Sequence, residues 1–150
     1  EIGFAGTVAH NGLLGMGRAQ DWACHKMEHE LSAAYDVAHG AGLAVLTPAW
    51  MKYVWQDNPD MFAQFAVNVM GVAKGLRNKE ALVREGIARL VSFYRVMGLP
   101  QTLSELGIDE SRHEEMARKC TGDYFGQEEK IGGLKKLGWQ DVLKIYQIAK

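Results

Sequence analysis

The sequence predicts an all-α fold, a multi-helix bundle of about seven helices, and two observations lead there. Helical periodicity runs through most of its 150 residues, whereas no segment alternates apolar and polar residues between turn dipeptides, so strand signals are nearly absent. Apolar residues make up 47% and charged residues 23%, a composition able to close one hydrophobic core in a domain of this length.

The elements follow in order. "EIGFAGTVAHNGLL" reads as the interior of a helix with no start signal ahead of it. Because it begins with Glu1 rather than Met, the expectation is a piece of a longer protein. "GLLGMGR" (Gly12 to Arg18) offers glycines but lacks a preceding strand, so it reads as a helix end with a C-capping glycine rather than a phosphate loop. Asp21 is placed to cap a second helix running to about Tyr35. "GLAVLTPAWMKYVWQ" is almost wholly apolar and therefore central, with Pro48 expected to begin or kink a turn. Asn58-Pro59 introduces "DMFAQFAVNVMGVA". In "NKEALVREGIARLVSFYRVMG", Val83, Ile87, Leu90, Val91, Tyr94 and Met97 hold helical spacing, capped by Asn78 and stopped by Gly98. "MGLPQTLSELGI" is a loop with a turn of helix; "DESRHEEMARKCTGDYF" after Gly107 and "DVLKIYQIAK" complete the set.

A formal charge of −1, with Lys and Arg mixed among Asp and Glu, gives no electrostatic reason to expect a nucleic acid or an acidic membrane as partner. No apolar run of about eighteen residues suggests a membrane span. Cys24 and Cys120 lie far apart and form no CxxC motif. A disulfide between them is left open, but a reduced, cytoplasmic protein is the expectation.

"DWACHKMEHELSAAYDVAHGAGLA" (Asp21 to Ala44) holds three of the five histidines. His25 and His29 are four apart and project from one helix face, and His39 lies where that helix should have ended. Gly40 and Gly42 let the backbone come close to a metal or a ligand group. A lone histidine beside an apolar face is usually a hydrogen-bonded core residue. Three so close together favour a metal role, since neutral imidazole is a good donor for Zn²⁺ and Fe²⁺. His10 lies between apolar neighbours and could line a cleft, while His113, among Arg112, Glu114 and Glu115, is expected on a solvated face. "HKMEH" also matches the inverted zincin motif HxxEH, in which Glu28 would be the general base of a metallopeptidase, but no third ligand is marked. A further alternative is a non-catalytic helical interaction module whose histidines are merely packed.

The longer stretch "GTVAHNGLLGMGRAQDWACHKMEHELSAAYDVAHGAGLAVLTPAWMKYV" resembles the start of the C-terminal helical domain of the iron-dependent (group III) alcohol dehydrogenases. Its likeness is strongest to their butanol dehydrogenase and aldehyde reductase branch. The motif-rich match covers about the first third of the chain. The resemblance implies a two-domain oxidoreductase that interconverts primary alcohols and aldehydes by hydride transfer. An N-terminal nucleotide-binding domain, absent from this chain, would bind NAD(P)H and be its partner. The divalent metal, Fe²⁺ first and Zn²⁺ as the alternative, would take one Asp and three His ligands. An Asp-x3-His pair upstream would supply two of them, and the first and last histidines of H-x3-H-x9-H the others. Carried over, those are His25 and His39, with His29 a catalytic neighbour that relays a proton or orients substrate, and Glu28 behind the ligands or on the surface. No Asp-x3-His pair precedes His25 here. The isolated chain is therefore expected to be inactive and to hold metal weakly, and its uncovered face to drive homo-oligomers, dimers first.

Overall fold

The computed structural model describes residues 1–75, 78–123, 126–127 and 129–150, and those residues form an all-α domain. Seven α-helices are present among them: α1 (Ile2–His10), α2 (Ala23–Tyr35), α3 (His39–Val54), α4 (Pro59–Asn68), α5 (Lys79–Val96), α6 (His113–Cys120) and α7 (Trp139–Ile148). Short 3-10 turns link several of them, and among the described residues the one pairing of extended backbone is an isolated bridge between Ile131 and Leu137. Among the described residues no helix is long and apolar enough to cross a membrane.

Local chemistry explains most boundaries. Asn58 and Asn78 accept hydrogen bonds from the amides of Met61 (3.2 Å) and Ala81 (2.8 Å), capping α4 and α5 as their positions predict. Pro59 occupies the first turn of α4, where its missing N–H costs nothing. Gly98, with φ of 74°, lets the Leu99 amide turn back onto Tyr94 O and close α5. Asp21, the predicted cap, sits one residue before the observed N-cap, Trp22, and its Oδ1 accepts from the Ala23 amide at 2.8 Å.

Three boundaries differ from the sequence reading. Helix α3 begins at His39, ahead of the apolar run, and continues through Pro48 to Val54 without ending there. Packing holds it, since Gly42, Ala44, Val45, Leu46, Pro48, Ala49, Met51 and Val54 are all buried. Helix α6 is confined to His113–Cys120 behind a 3-10 turn at Glu110–Arg112, and Tyr124 and Phe125 of that predicted stretch lie outside the described residues. Helix α7 starts at Trp139, two residues early, because Asp141 reaches back to accept from the Gly138 amide at 2.9 Å.

The core is built on α2 and α3. Met27 and Leu31 of α2 meet Val45, Leu46 and Val54 of α3, with Val142, Ile145 and Tyr146 of α7 in the same buried cluster. Tyr146 is fully buried and its hydroxyl donates to Met27 O at 2.8 Å, so the phenol enters the core with its polar atom satisfied. Both cysteines are free, and burial pushes each thiol up to about 12, which keeps them protonated and unreactive. Helix α1 contributes no buried residue, and Ile2 and Phe4 are 91% and 75% exposed.

His113 corrects an expectation. It is buried, not solvated, with its ring 5.6 Å from that of Tyr146. The reason is helical phase: His113, Met116 and Ala117 are the buried residues of α6, at spacings of three and four, whereas Glu114 and Glu115 pair with Arg118 and Lys119 on its other side.

Two outcomes follow from this packing. A Cβ at Gly86 would lie 2.5 Å from Ala66 Cβ and 2.9 Å from Ala66 Cα, so α4 and α5 would have to separate. Overpacking of this kind costs about 1–3 kcal/mol, and the better helix propensity of alanine returns at most about 1 kcal/mol. Gly86→Ala should therefore lower the urea midpoint.

The second outcome concerns pH. Burial holds the His113 pKa below its ordinary 6.5, against the opposing pull of Glu110 and Asp109 and with Lys150 adding to the depression. The unfolded chain then binds the proton more readily than the folded one. Stability is complete above the ordinary value and is lost as pH falls through it toward the lower folded-state value. Thermal unfolding at stepped pH between 7.5 and 5 should show this loss, and His113→Phe should flatten it.

Candidate functional site

The site forms where α2 ends and α3 begins. Helix α2 closes on Asp36, whose φ of 53° is the one left-handed non-glycine conformation among the described residues, and its amide donates to Ser32 O at 2.9 Å. The chain reverses there, and Ala38, in extended conformation, is the N-cap of α3. His39, the first residue of α3, thereby returns to the face of α2 that carries His25 and His29. Its ring centre lies 5.3 Å from that of His25 and 5.5 Å from that of His29. The structure thus brings together all three predicted site residues.

Their exposures differ. His25 is half-buried, while His29 and His39 are open to solvent. Burial, followed by the positive charge that His39, His10 and His29 would carry, holds the His25 pKa below its ordinary value. Near neutral pH the ring is therefore uncharged, with a lone pair free to bind a cation.

Sequence reasoning left two neighbours apart from this group. His10, at the end of α1, has its ring 6.2 Å from His25 and 6.0 Å from Trp22, and the Trp22 indole packs edge-on to His25 at 4.8 Å. His10, Gln20, Asp21 and Trp22 line a cleft of about 290 Å³, in accord with the cleft position expected for His10. Asp21 secures this edge by accepting from the amides of Gly133 and Leu134, both at 2.8 Å, across more than one hundred residues of sequence. The larger 490 Å³ cleft lined by Lys52, Trp55, Arg84 and Arg95 shares no residue with the histidines.

Glu28 faces the opposite way from the solvent. It is fully buried, with Oε1 accepting from Ser32 Oγ at 2.5 Å and Oε2 in direct contact with His39 Nδ1. Candidate donor atoms of Glu28, His29 and His39 all lie within 4.8 Å of one another. His25 is outside that tightest group, although its ring is as near to His39 as that of His29. The donor chemistry suits a borderline divalent ion: imidazoles converge on an open face, with a carboxylate behind one of them. The side of the group facing solvent is open.

Residues 1–149 match the family described as Fe-containing alcohol dehydrogenase, C-terminal. The NADH-dependent butanol dehydrogenase A of Clostridium acetobutylicum is 40% identical over 145 residues, covering 96% of this chain and 36% of that protein. The NADPH-dependent aldehyde reductase YqhD of Escherichia coli is 32% identical over 120 residues, covering 77% and 30%. The crystal structure of NADH-dependent butanol dehydrogenase A from Thermotoga maritima superposes with a TM-score of 0.86 at 34% identity, over 97% of this chain and 37% of that one. The chain spans a little over a third of the length of these butanol dehydrogenases.

Proposed function

The chain belongs to the Fe-containing alcohol dehydrogenase family, matching its C-terminal domain, and on that premise we propose that it is the helical part of a metal-dependent, NAD(P)-linked enzyme interconverting primary alcohols and aldehydes. The observation that carries this reading is the convergence of His25, His29 and His39 at the corner between α2 and α3. His25 and His39 hold the metal, Fe²⁺ first and Zn²⁺ as the alternative, from two directions. An N-terminal nucleotide-binding domain of the same protein brings the remaining ligands and most of the contacts to NAD(P)H. Bound there, the ion supplies Lewis acidity at the substrate oxygen and the nicotinamide supplies or receives the hydride.

The chain's own residues prepare that chemistry. His25, kept neutral by its surroundings, offers a ring nitrogen without first losing a proton. His29 is exposed and one turn along α2 from His25, so it can orient the substrate oxygen or pass its proton to solvent. Trp22 and His10 stand beside His25 and wall the approach on the α1 side. Ile2, Phe4, Leu13, Leu14 and Met16 on the same N-terminal segment are exposed and supply an apolar face for the nucleotide-binding domain. Without that domain the chain is inactive, holds metal weakly and self-associates, and its two free thiols suit a cytoplasmic enzyme.

The burial of Glu28 counts against the peptidase alternative, since a carboxylate with no exposed surface cannot activate a water for attack on a peptide. Packed histidines alone would not explain an open face with His29 and His39 turned to solvent. His39→Ala in the full-length protein decides among these. We expect loss of the bound metal and a fall in butan-1-ol oxidation of about 100-fold or more, the worth of several kcal/mol of Lewis-acid stabilisation. A His39→Ala protein that keeps both its metal and its activity overturns the assignment.

A further inference from the structure

Glu28 is the one acidic side chain among the buried described residues. A carboxylate without access to water is costly unless each oxygen has a partner, and here both do. Ser32 Oγ, one helical turn along α2, donates to Oε1 at 2.5 Å, and His39 Nδ1 meets Oε2. An ionised carboxylate only accepts hydrogen bonds, so the proton between them belongs to Nδ1. That choice leaves the lone pair of His39 on Nε2, at the far side of the ring from the buried carboxylate.

Gly42 belongs to the same arrangement. It is buried inside α3, where glycine normally weakens a helix relative to alanine. A Cβ there would lie 2.7 Å from both Cγ and Oε1 of Glu28. The bare backbone at residue 42 is what allows the Glu28 side chain to lie against the start of α3 and reach the His39 Nδ1 edge. A charged residue within the buried face of α2 and a glycine within an apolar helix therefore have one common cause.

We propose that Glu28 is a positioning residue for His39: it fixes the tautomer that presents Nε2 to the metal and strengthens that donor, with Gly42 providing its space. This rests on His39 being a metal ligand, as proposed above. Hydrogen-bond partners of this kind behind a ligating histidine are typically worth 10–100-fold in metal affinity.

The test uses the full-length protein and reads the metal directly. Zn²⁺ affinity is measured by competition with a chromophoric chelator, and the ligand field by the visible spectrum of the Co²⁺-loaded protein, with far-UV circular dichroism as the check on folding. Glu28→Gln keeps the shape of the side chain and removes its charge; it should weaken Zn²⁺ binding about 10-fold or more and shift the Co²⁺ bands. Gly42→Ala leaves every donor in place but displaces the carboxylate, and should change both readouts in the same direction. Wild-type affinity with an unchanged Co²⁺ spectrum in either folded variant overturns the proposal. His39→Ala separates the two levels. If it loses the metal while Glu28→Gln and Gly42→Ala keep it, only the role of Glu28 fails. If His39→Ala itself binds as wild type, the metal assignment beneath it fails.

Discussion

The tight reversal between α2 and α3 is the constraint on which the rest of the molecule depends. Asp36 adopts a left-handed conformation that an L-residue with a Cβ enters at a cost, and its amide closes the last turn of α2 onto Ser32 O. Two further residues bring the chain to Ala38, and α3 departs at once. That geometry sets α2 and α3 side by side, so that Met27 and Leu31 can share a buried cluster with Val45 and Leu46. It also sets the first residue of α3 over the same face of α2 that carries His25 and His29. Core and site are two consequences of one turn, the first on its apolar side and the second on its polar side.

Long-range polar contacts then hold the later helices to this corner. The Tyr146 hydroxyl ends on the backbone of Met27, and Tyr53 near the end of α3 donates to Asp141 at 2.5 Å, at the start of α7. Asp21, just before α2, gathers the 133–134 amides. Each joins residues about ninety or more positions apart, and the Tyr146 hydroxyl among them is the polar group that packing has drawn fully away from water. Such bonds contribute little net energy when formed and cost more when one partner is lost, so they specify this arrangement of helices more than they drive it.

How much of this was legible in the sequence follows from the range of the interactions. The all-α class, the asparagine caps of α4 and α5, the stop at Gly98 and the central place of the Ala44–Val54 run depend on local chemistry and were readable. The family was readable too, because the histidine spacing lies within one continuous stretch. What escaped depended on partners distant in sequence or on phase. His113 looked solvated because its neighbours in sequence are charged, whereas its neighbours on the helix face are Met116 and Ala117. The start of α3 at His39 was hidden because glycines at 40 and 42 argue against a helix until the Glu28 side chain explains the second of them. The company of His10 beside His25 depends on where α1 lies, which no periodicity reports, whereas Trp22, three residues before His25, lay within reach of helical spacing.

The same position of α1 bears on two features of the molecule. The helix has no buried residue, yet its last residue, His10, stands beside the half-buried ring of His25. Exposed Leu14 lines the same cleft as His10 and Trp22, and exposed Ile2 and Phe4 lie further back along α1. In the function proposed here, one partner domain answers both needs. Covering the apolar segment removes it from water, and the same approach carries further ligands toward the face where His25 and His39 are incomplete. Burial of that segment supplies a non-directional attraction, whereas metal coordination is directional and tolerates little displacement. The first can bring the domains together over a broad surface, and the second can set their final register. On that proposed function, metal binding and domain closure would be one coupled step.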